Sequence, residues 1–289
     1  MPELPEVETV KETLKKKLLG KIIKNVEIYH NNIIEYPTVE EFKLSIINQK
    51  INNMDRYGKW LIFELDDYYL LSHLRMEGKY FFRTNLDVRN KHEHVVFTLD
   101  DIELRYMDVR KFGKMWLIEK DKINTIGPFI EMGLEPWDKS LTIEYLKGKY
   151  SKKKIPIKTV LLDQSIIVGI GNIYADEILF LSNINPLIPA KDLTYKNLSD
   201  IITNTKQVLE SAIKKGGSTI RSYTSVDGVH GLFQQELFVH TKVNKPCIKC
   251  NTTIIKIKVG GRGTYYCPKC QKKLSGGWGY AKIYYAKAY

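Results

Sequence analysis

Pro2, Glu3 and Glu6 stand in the run Met1-Pro2-Glu3-Leu4-Pro5-Glu6-Val7-Glu8 and gather an amine and two acids at one chain end. A small residue after an initiator Met favours removal of that Met, which would leave Pro2 as a free secondary amine. Such an amine can attack an electrophilic carbon and become a cationic iminium without shedding a second proton. A model α-amine titrates near ~8 against ~10.4 for lysine, so roughly a tenth of it is neutral at pH 7. The same residues also suit a plain helix start. Proline loses no bond in a first turn, and acids favour the positive end of the helix dipole. The run alone leaves both readings open.

A second set of residues is more specific. The chain has four cysteines, Cys247, Cys250, Cys267 and Cys270, spaced C-x2-C-x16-C-x2-C. That spacing fits a tetrathiolate zinc ribbon. Two disulfides are the alternative, and a reducing compartment disfavours them. One zinc ion is expected.

Composition narrows the partners. Lys and Arg number 45 against 33 Asp and Glu, a formal charge of +12, which suits a polyanion, most simply nucleic acid. Acidic membranes compete for such a charge, but no basic amphipathic helix stands out and no apolar run approaches the ~18 residues of a span. The N-terminus lacks the basic-then-apolar order of a signal peptide. No membrane partner and a cytoplasmic location are expected.

Elements must position these groups. Val7, Val10, Leu14 and Leu18 recur at helical spacing and Gly20 follows as a C-cap, so 5–19 reads as an amphipathic helix. From 21 to 119, short apolar runs alternate with turns: W-L-I-F-E-L, Y-Y-L-L-S-H-L, K-Y-F-F-R, H-V-V-F-T-L and I-E-L-R-Y-M. Strands at roughly ten-residue intervals predict an antiparallel sandwich or barrel. Gly127-Pro128, Gly133 and Pro136 mark a linker. Helical spacing then returns at Ile173–Leu181 and from Leu198 to Ala212, ending at Gly216-Gly217. A chain of 289 residues leaves room for two domains with separate cores.

The opening P-E-L-P-E-V-E-T-V resembles the start of the bacterial formamidopyrimidine-DNA glycosylase family. Further blocks follow in that family's order: R-Y-G-K-W-L (56–61), H-L-R-M-E-G-K (73–79), D-V-R-K-F-G (108–113), G-I-G-N-I-Y-A-D-E (169–177), G-G-S-T-I-R-S-Y (216–223) and G-R-G-T-Y-Y-C-P-K-C-Q (261–271). The resemblance implies an α+β multidomain fold. An N-terminal antiparallel β-sandwich with flanking helices occupies 1–130. A helix–two-turn–helix bundle follows at 131–233, then a four-cysteine zinc-finger hairpin at 234–271, leaving a tail of unassigned role at 272–289.

It also implies a bifunctional DNA glycosylase and abasic-site lyase acting on oxidised purines in damaged duplex DNA, as a monomer. Pro2 would be the nucleophile and Glu3 the general acid, with Glu6 orienting the chain end. Lys59 would bind phosphate beside the nucleophile and hold its pKa low by like-charge repulsion. His73, Asn172 and Arg262 match phosphate contacts. For Asn172 there is also a local reason, since the Gly169-x-Gly171 turn leads into a helix N-terminus. Met76, Arg110 and Phe112 match the residues that fill the gap left by an extruded base, where a pliable thioether, a guanidinium and an aromatic wedge suit the task. Read singly, Met76 and Phe112 suit the core of the strands they lie on better, and only the family register of R-M and R-K-F reverses that. Ser218, Ile220, Arg221, Ser222 and Tyr223 match a lesion-recognition loop built on backbone groups, and Glu77 matches a contact to the flipped base.

The sequence departs from the family at V-H-T-K-V-N-K-P-C before the first cysteine pair, at Asn251, and in the aromatic and basic tail after Gln271. None of these alters a zinc ligand. Two rivals remain. An endonuclease VIII-like enzyme would prefer oxidised pyrimidines, against which Leu4 and the E-V-E-T-V continuation speak. A non-enzymatic zinc-ribbon protein could recognise damaged DNA, against which the Pro2-Glu3 pair speaks.

Overall fold

Val7, Val10, Leu14 and Leu18 are buried along one face of helix α1 (Leu4–Leu18) in a computed structural model that describes residues 1–217 and 236–272. Glu3 is its N-cap, and the Glu6 carboxylate reaches back to accept the Glu3 backbone N–H at 2.8 Å. That bond satisfies an amide the helix cannot, and Lys15, Lys16 and Lys17 complement the dipole at the other end.

The described residues group into two units, Met1–Met132 with the segment from Glu210, and Gly133–Leu209 with the segment from Glu236. The first is a β-sandwich. Its strands are β1 (Asn25–Ile28), β2 (Ile34–Tyr36), β3 (Asn53–Tyr57), β4 (Trp60–Glu64), β5 (Tyr68–His73), β6 (Lys79–Arg83), β7 (Glu93–Thr98), β8 (Glu103–Met107) and β9 (Lys114–Glu119). One sheet runs β1-β7-β8-β6 and the other β2-β9-β5-β4-β3. Every pairing is antiparallel except β2 with β9, which is parallel. Strand alternation sends Leu61 and Phe63 from one sheet, and Val95, Phe97, Leu104 and Tyr106 from the other, into the core that takes the apolar face of α1. Helix α2 (Val39–Ile46), started by a Thr38–Glu41 capping box, adds Phe42 and Ile46 to it.

The second unit holds helices α3 (Ile143–Tyr150), α4 (Ile157–Leu161), α5 (Asn172–Leu181) and most of α6 (Tyr195–Lys214), followed by the ribbon β10 (Ile255–Val259) and β11 (Arg262–Tyr266). A buried polar cluster joins these parts. Lys158 Nζ, fully buried on α4, donates to Asp176 Oδ1 at 2.5 Å and to the Asn172 carbonyl at 2.8 Å. Asp176 Oδ2 lies 2.7 Å from His240 Nδ1, while Glu177 accepts the backbone N–H groups of Phe238, Val239 and His240. Buried charges persist only when paired in this way. The cluster fixes the segment that leads into the ribbon against α5.

Candidate active site and metal centre

The chain begins beside its own buried acids. Pro2 is buried, and Glu3 and Glu6 are 2% and 6% exposed. Met1 precedes them, and its α-amine lies below the ordinary value. Burial is the main cause; Glu3 and Glu6 oppose it, Lys59 lowers it further, and Glu77 opposes it. An amine, two carboxylates and a lysine therefore share one environment. Gly217, in the left-handed region at φ +83°, closes it from another side: a Cβ there would fall 2.8 Å from Glu6 Oε1. Gly217 immediately precedes Ser218, Ile220, Arg221, Ser222 and Tyr223, the residues expected to form a recognition loop, which lie outside the described residues.

Lys59 is brought to this end by a tight turn. Tyr57 pairs with Trp60 across β3 and β4, and Gly58 takes a positive φ, leaving Gly58-Lys59 as the tip. Arg56 bolts that tip to α1, donating through Nε to Glu8 Oε2 at 2.8 Å and through a terminal nitrogen to the Gly58 carbonyl at 3.3 Å. Lys59 is only 5% exposed.

His73 ends β5 opposite Trp60, whose ring meets its imidazole edge-on at 4.8 Å. Burial, then Arg75 and Lys59, hold its pKa down to about 3. Its Nδ1 accepts the Arg75 N–H at 3.0 Å, so the neutral ring carries its proton on Nε2. His73 is thus an uncharged donor.

Met76 and Glu77 sit in the β5–β6 turn, both half-buried, and Arg110 and Phe112 in the β8–β9 loop. Neither Met76 nor Phe112 belongs to the sandwich core. Phe112 is 49% exposed, with the Arg110 guanidinium 4.8 Å from its ring centroid.

In the second unit, Asn172 opens α5 behind Gly171, as the G-x-G turn suggested. Its side-chain nitrogen donates to the Gly263 carbonyl at 3.0 Å, one residue from Arg262 at the start of β11. The ribbon tip packs on α4, where a Cβ at Gly260 would fall 2.6 Å from Thr159 Oγ1.

The four cysteine sulfurs lie within 4.8 Å of one another, with Cys247 and Cys270 at 3.8 Å and Cys250 and Cys267 at 3.5 Å. Zinc bound tetrahedrally at about 2.3 Å would set sulfurs about 3.8 Å apart, whereas a disulfide needs about 2.05 Å. Four thiolates at this spacing fit a structural zinc ion and leave no open position on it.

Arg56, Tyr106 and Asp108 escaped sequence reasoning. Arg56 and Asp108 fall inside the family-like blocks, but nothing in their types separates them from ordinary surface charges.

These features define a zinc-ribbon protein with an amine-and-acid site at the start of a β-sandwich. The comparisons carry that further. Residues 1–115 match the formamidopyrimidine-DNA glycosylase N-terminal domain, 132–224 the formamidopyrimidine-DNA glycosylase H2TH domain, and 244–273 a zinc finger found in FPG and IleRS. The chain is 48% identical over 278 residues to the formamidopyrimidine-DNA glycosylase of Oceanobacillus iheyensis, covering 96% of this chain and 99% of that one. It is also similar to a Lactococcus lactis FPG variant in complex with Fapy-dG DNA (39% identity, TM-score 0.88). The Lactococcus lactis protein in complex with abasic-site DNA gives 39% identity and a TM-score of 0.87. Both alignments cover 94% of this chain and all of the other. The chain belongs to the formamidopyrimidine-DNA glycosylase family.

Proposed function

We infer that this chain excises oxidised purines from damaged duplex DNA and cleaves the resulting abasic strand, as a base excision repair enzyme. One observation carries the reading: the buried Pro2 is followed by two buried acids beside a buried lysine, within a chain 96% of which aligns with a member of the family.

Once Met1 is removed, Pro2 nitrogen attacks the anomeric carbon of the flipped nucleoside. Glu3 delivers a proton at the sugar ring oxygen, the ring opens and the base departs. The product is an iminium that acidifies the neighbouring sugar carbon. Successive β- and δ-elimination then release the sugar and leave a one-nucleotide gap. Glu6, bonded to the Glu3 N–H, holds the chain end in place. Lys59 keeps positive charge beside the amine, which favours its neutral, nucleophilic form, and binds phosphate. His73 contributes an Nε2–H to phosphate without charge, and Asn172 and Arg262 supply further phosphate contacts. Met76, Arg110 and Phe112 occupy the space vacated by the base. The loop at 218–223 and Glu77 read the lesion. Zinc maintains the hairpin that carries Arg262. The enzyme works as a monomer in a reducing cytoplasm.

Single-turnover excision from matched duplexes tests the substrate class. A duplex with 8-oxoguanine should be processed faster than one with an oxidised pyrimidine, and a plain abasic site should be cut without prior excision. Faster pyrimidine excision would move the chain to the endonuclease VIII-like reading.

A further inference from the structure

We propose that Tyr106 and Asp108 form a positioning pair that holds Met76, Arg110 and Phe112 as one rigid unit. This rests on the base-replacing role given to those three side chains above.

The strand registers set the stage. His73 pairs with Lys114 across β5 and β9 in one sheet, and Lys79 pairs with Met107 across β6 and β8 in the other. The connections 74–78 and 108–113 therefore cross from sheet to sheet side by side at one end of the sandwich. The first carries Met76, the second Arg110 and Phe112.

Asp108 organises the second connection from inside. Its side chain is fully buried. Oδ1 accepts the Arg110 N–H at 3.0 Å, and Oδ2 accepts those of Phe112 at 2.9 Å and Gly113 at 2.8 Å. Lys111 takes a φ of +58°, which folds the backbone around the carboxylate. The Asp108 carbonyl accepts from His94 Nε2 at 2.9 Å, anchoring the loop to β7. One carboxylate thus fixes the backbone of both Arg110 and Phe112.

Tyr106 extends this control to Met76. Its ring lies in the core against Tyr80, at 5.2 Å between centroids, and its hydroxyl donates to Asp108 Oδ2 at 3.4 Å. Gly78 ends the Met76 turn and Gly113 ends the Phe112 loop. A Cβ on either would collide with the Tyr106 hydroxyl. Neither glycine has a positive φ, so each is required for room and not for its backbone freedom. Both connections close on the same oxygen.

Asp108→Asn keeps the shape but turns one acceptor into a donor, so at least one loop N–H loses its partner. A buried bond of this kind changes rates by roughly tenfold when it acts on the limiting step. The test uses single-turnover rates on an 8-oxoguanine duplex and on a preformed abasic site. The proteins are the parent, Asp108→Asn, Phe112→Ala and the double variant. Asp108→Asn should slow lesion excision about tenfold and abasic cleavage less than about threefold, with little added once Phe112 is already alanine. Tyr106→Phe removes only the hydroxyl and should show the same selectivity at smaller size, so it decides the matter if Asp108→Asn does not fold. Equal slowing of both substrates by these variants, or full multiplication with Phe112→Ala, would overturn the positioning role. Equal slowing by Phe112→Ala alone would instead overturn the base-replacing role, and the pairing with it.

Discussion

Glu3, Glu6, Lys59 and His73 rest on hydrocarbon, whereas Arg262 rests on sulfur. Beneath the first group, α1 buries Val7, Val10, Leu14 and Leu18 in a continuous core fed by both sheets, each such side chain contributing about 1.5–3 kcal/mol. Beneath Arg262, the ribbon β10–β11 shares a small cluster of Phe180, Val239 and Ile254 in which Cys247 and Cys267 are themselves members. A two-stranded ribbon is marginal alone, and zinc-finger peptides draw about 10–16 kcal/mol of apparent binding energy from their metal. The proposed reaction site is therefore built into the core, while Arg262, the proposed phosphate contact, sits on a ribbon that depends on an ion.

Cys267→Ser should produce the largest effect. Loss of one thiolate should release zinc, loosen the ribbon and remove most DNA affinity, while the sandwich keeps its cooperative unfolding. Zinc content, DNA titration and denaturant melts would check this; full DNA affinity without zinc would break the contrast. Leu14→Ala probes the other side. It should destabilise the sandwich by about 2–5 kcal/mol with zinc content unchanged, measured by denaturant unfolding and metal analysis.

His73 gives a smaller, pH-dependent effect within the core-held site. Its folded pKa of about 3 lies below the unfolded value near ~6.5, so the unfolded chain binds the extra proton between those limits. Stability should fall as pH drops through that window, by about 2 kcal/mol at pH 5 from this residue. Denaturant midpoints at pH 7 and pH 5 should therefore converge in His73→Asn; an unchanged slope would show that the histidine is charged.

The smallest effect links the two regions through DNA. Lys59→Ala and Arg262→Ala should each reduce the salt slope of DNA binding by about one unit, and His73→Asn should leave it unchanged because that ring is neutral. Binding isotherms across a salt series would decide it.

The sequence was most legible where a local period was sustained or spacing tied to chemistry. The 5–19 helix appears as Leu4–Leu18, and the five apolar runs between 60 and 107 fall on β4 to β8. The four cysteines converge as their spacing required. The parallel β2–β9 contact was not legible, because a three-residue strand has no period to read and its partner is remote in the chain. Helix α2 does carry a local signal, the T-x-x-E of Thr38–Glu41, which the strand-like pattern around it obscures. Asp108 shows why sites resist sequence reading: three of its partners are backbone amides, which leave no residue type behind.

The proposed chemistry turns on Pro2 as the nucleophile of a core-held site. Borohydride reduces an iminium to a stable amine, so it should trap the protein on abasic-site DNA through a covalent bond. Peptide mapping of that adduct should place it on Pro2 in chains lacking Met1, and chains that retain Met1 should not be trapped. An adduct mapped to a lysine, Lys59 above all, would contradict the assignment.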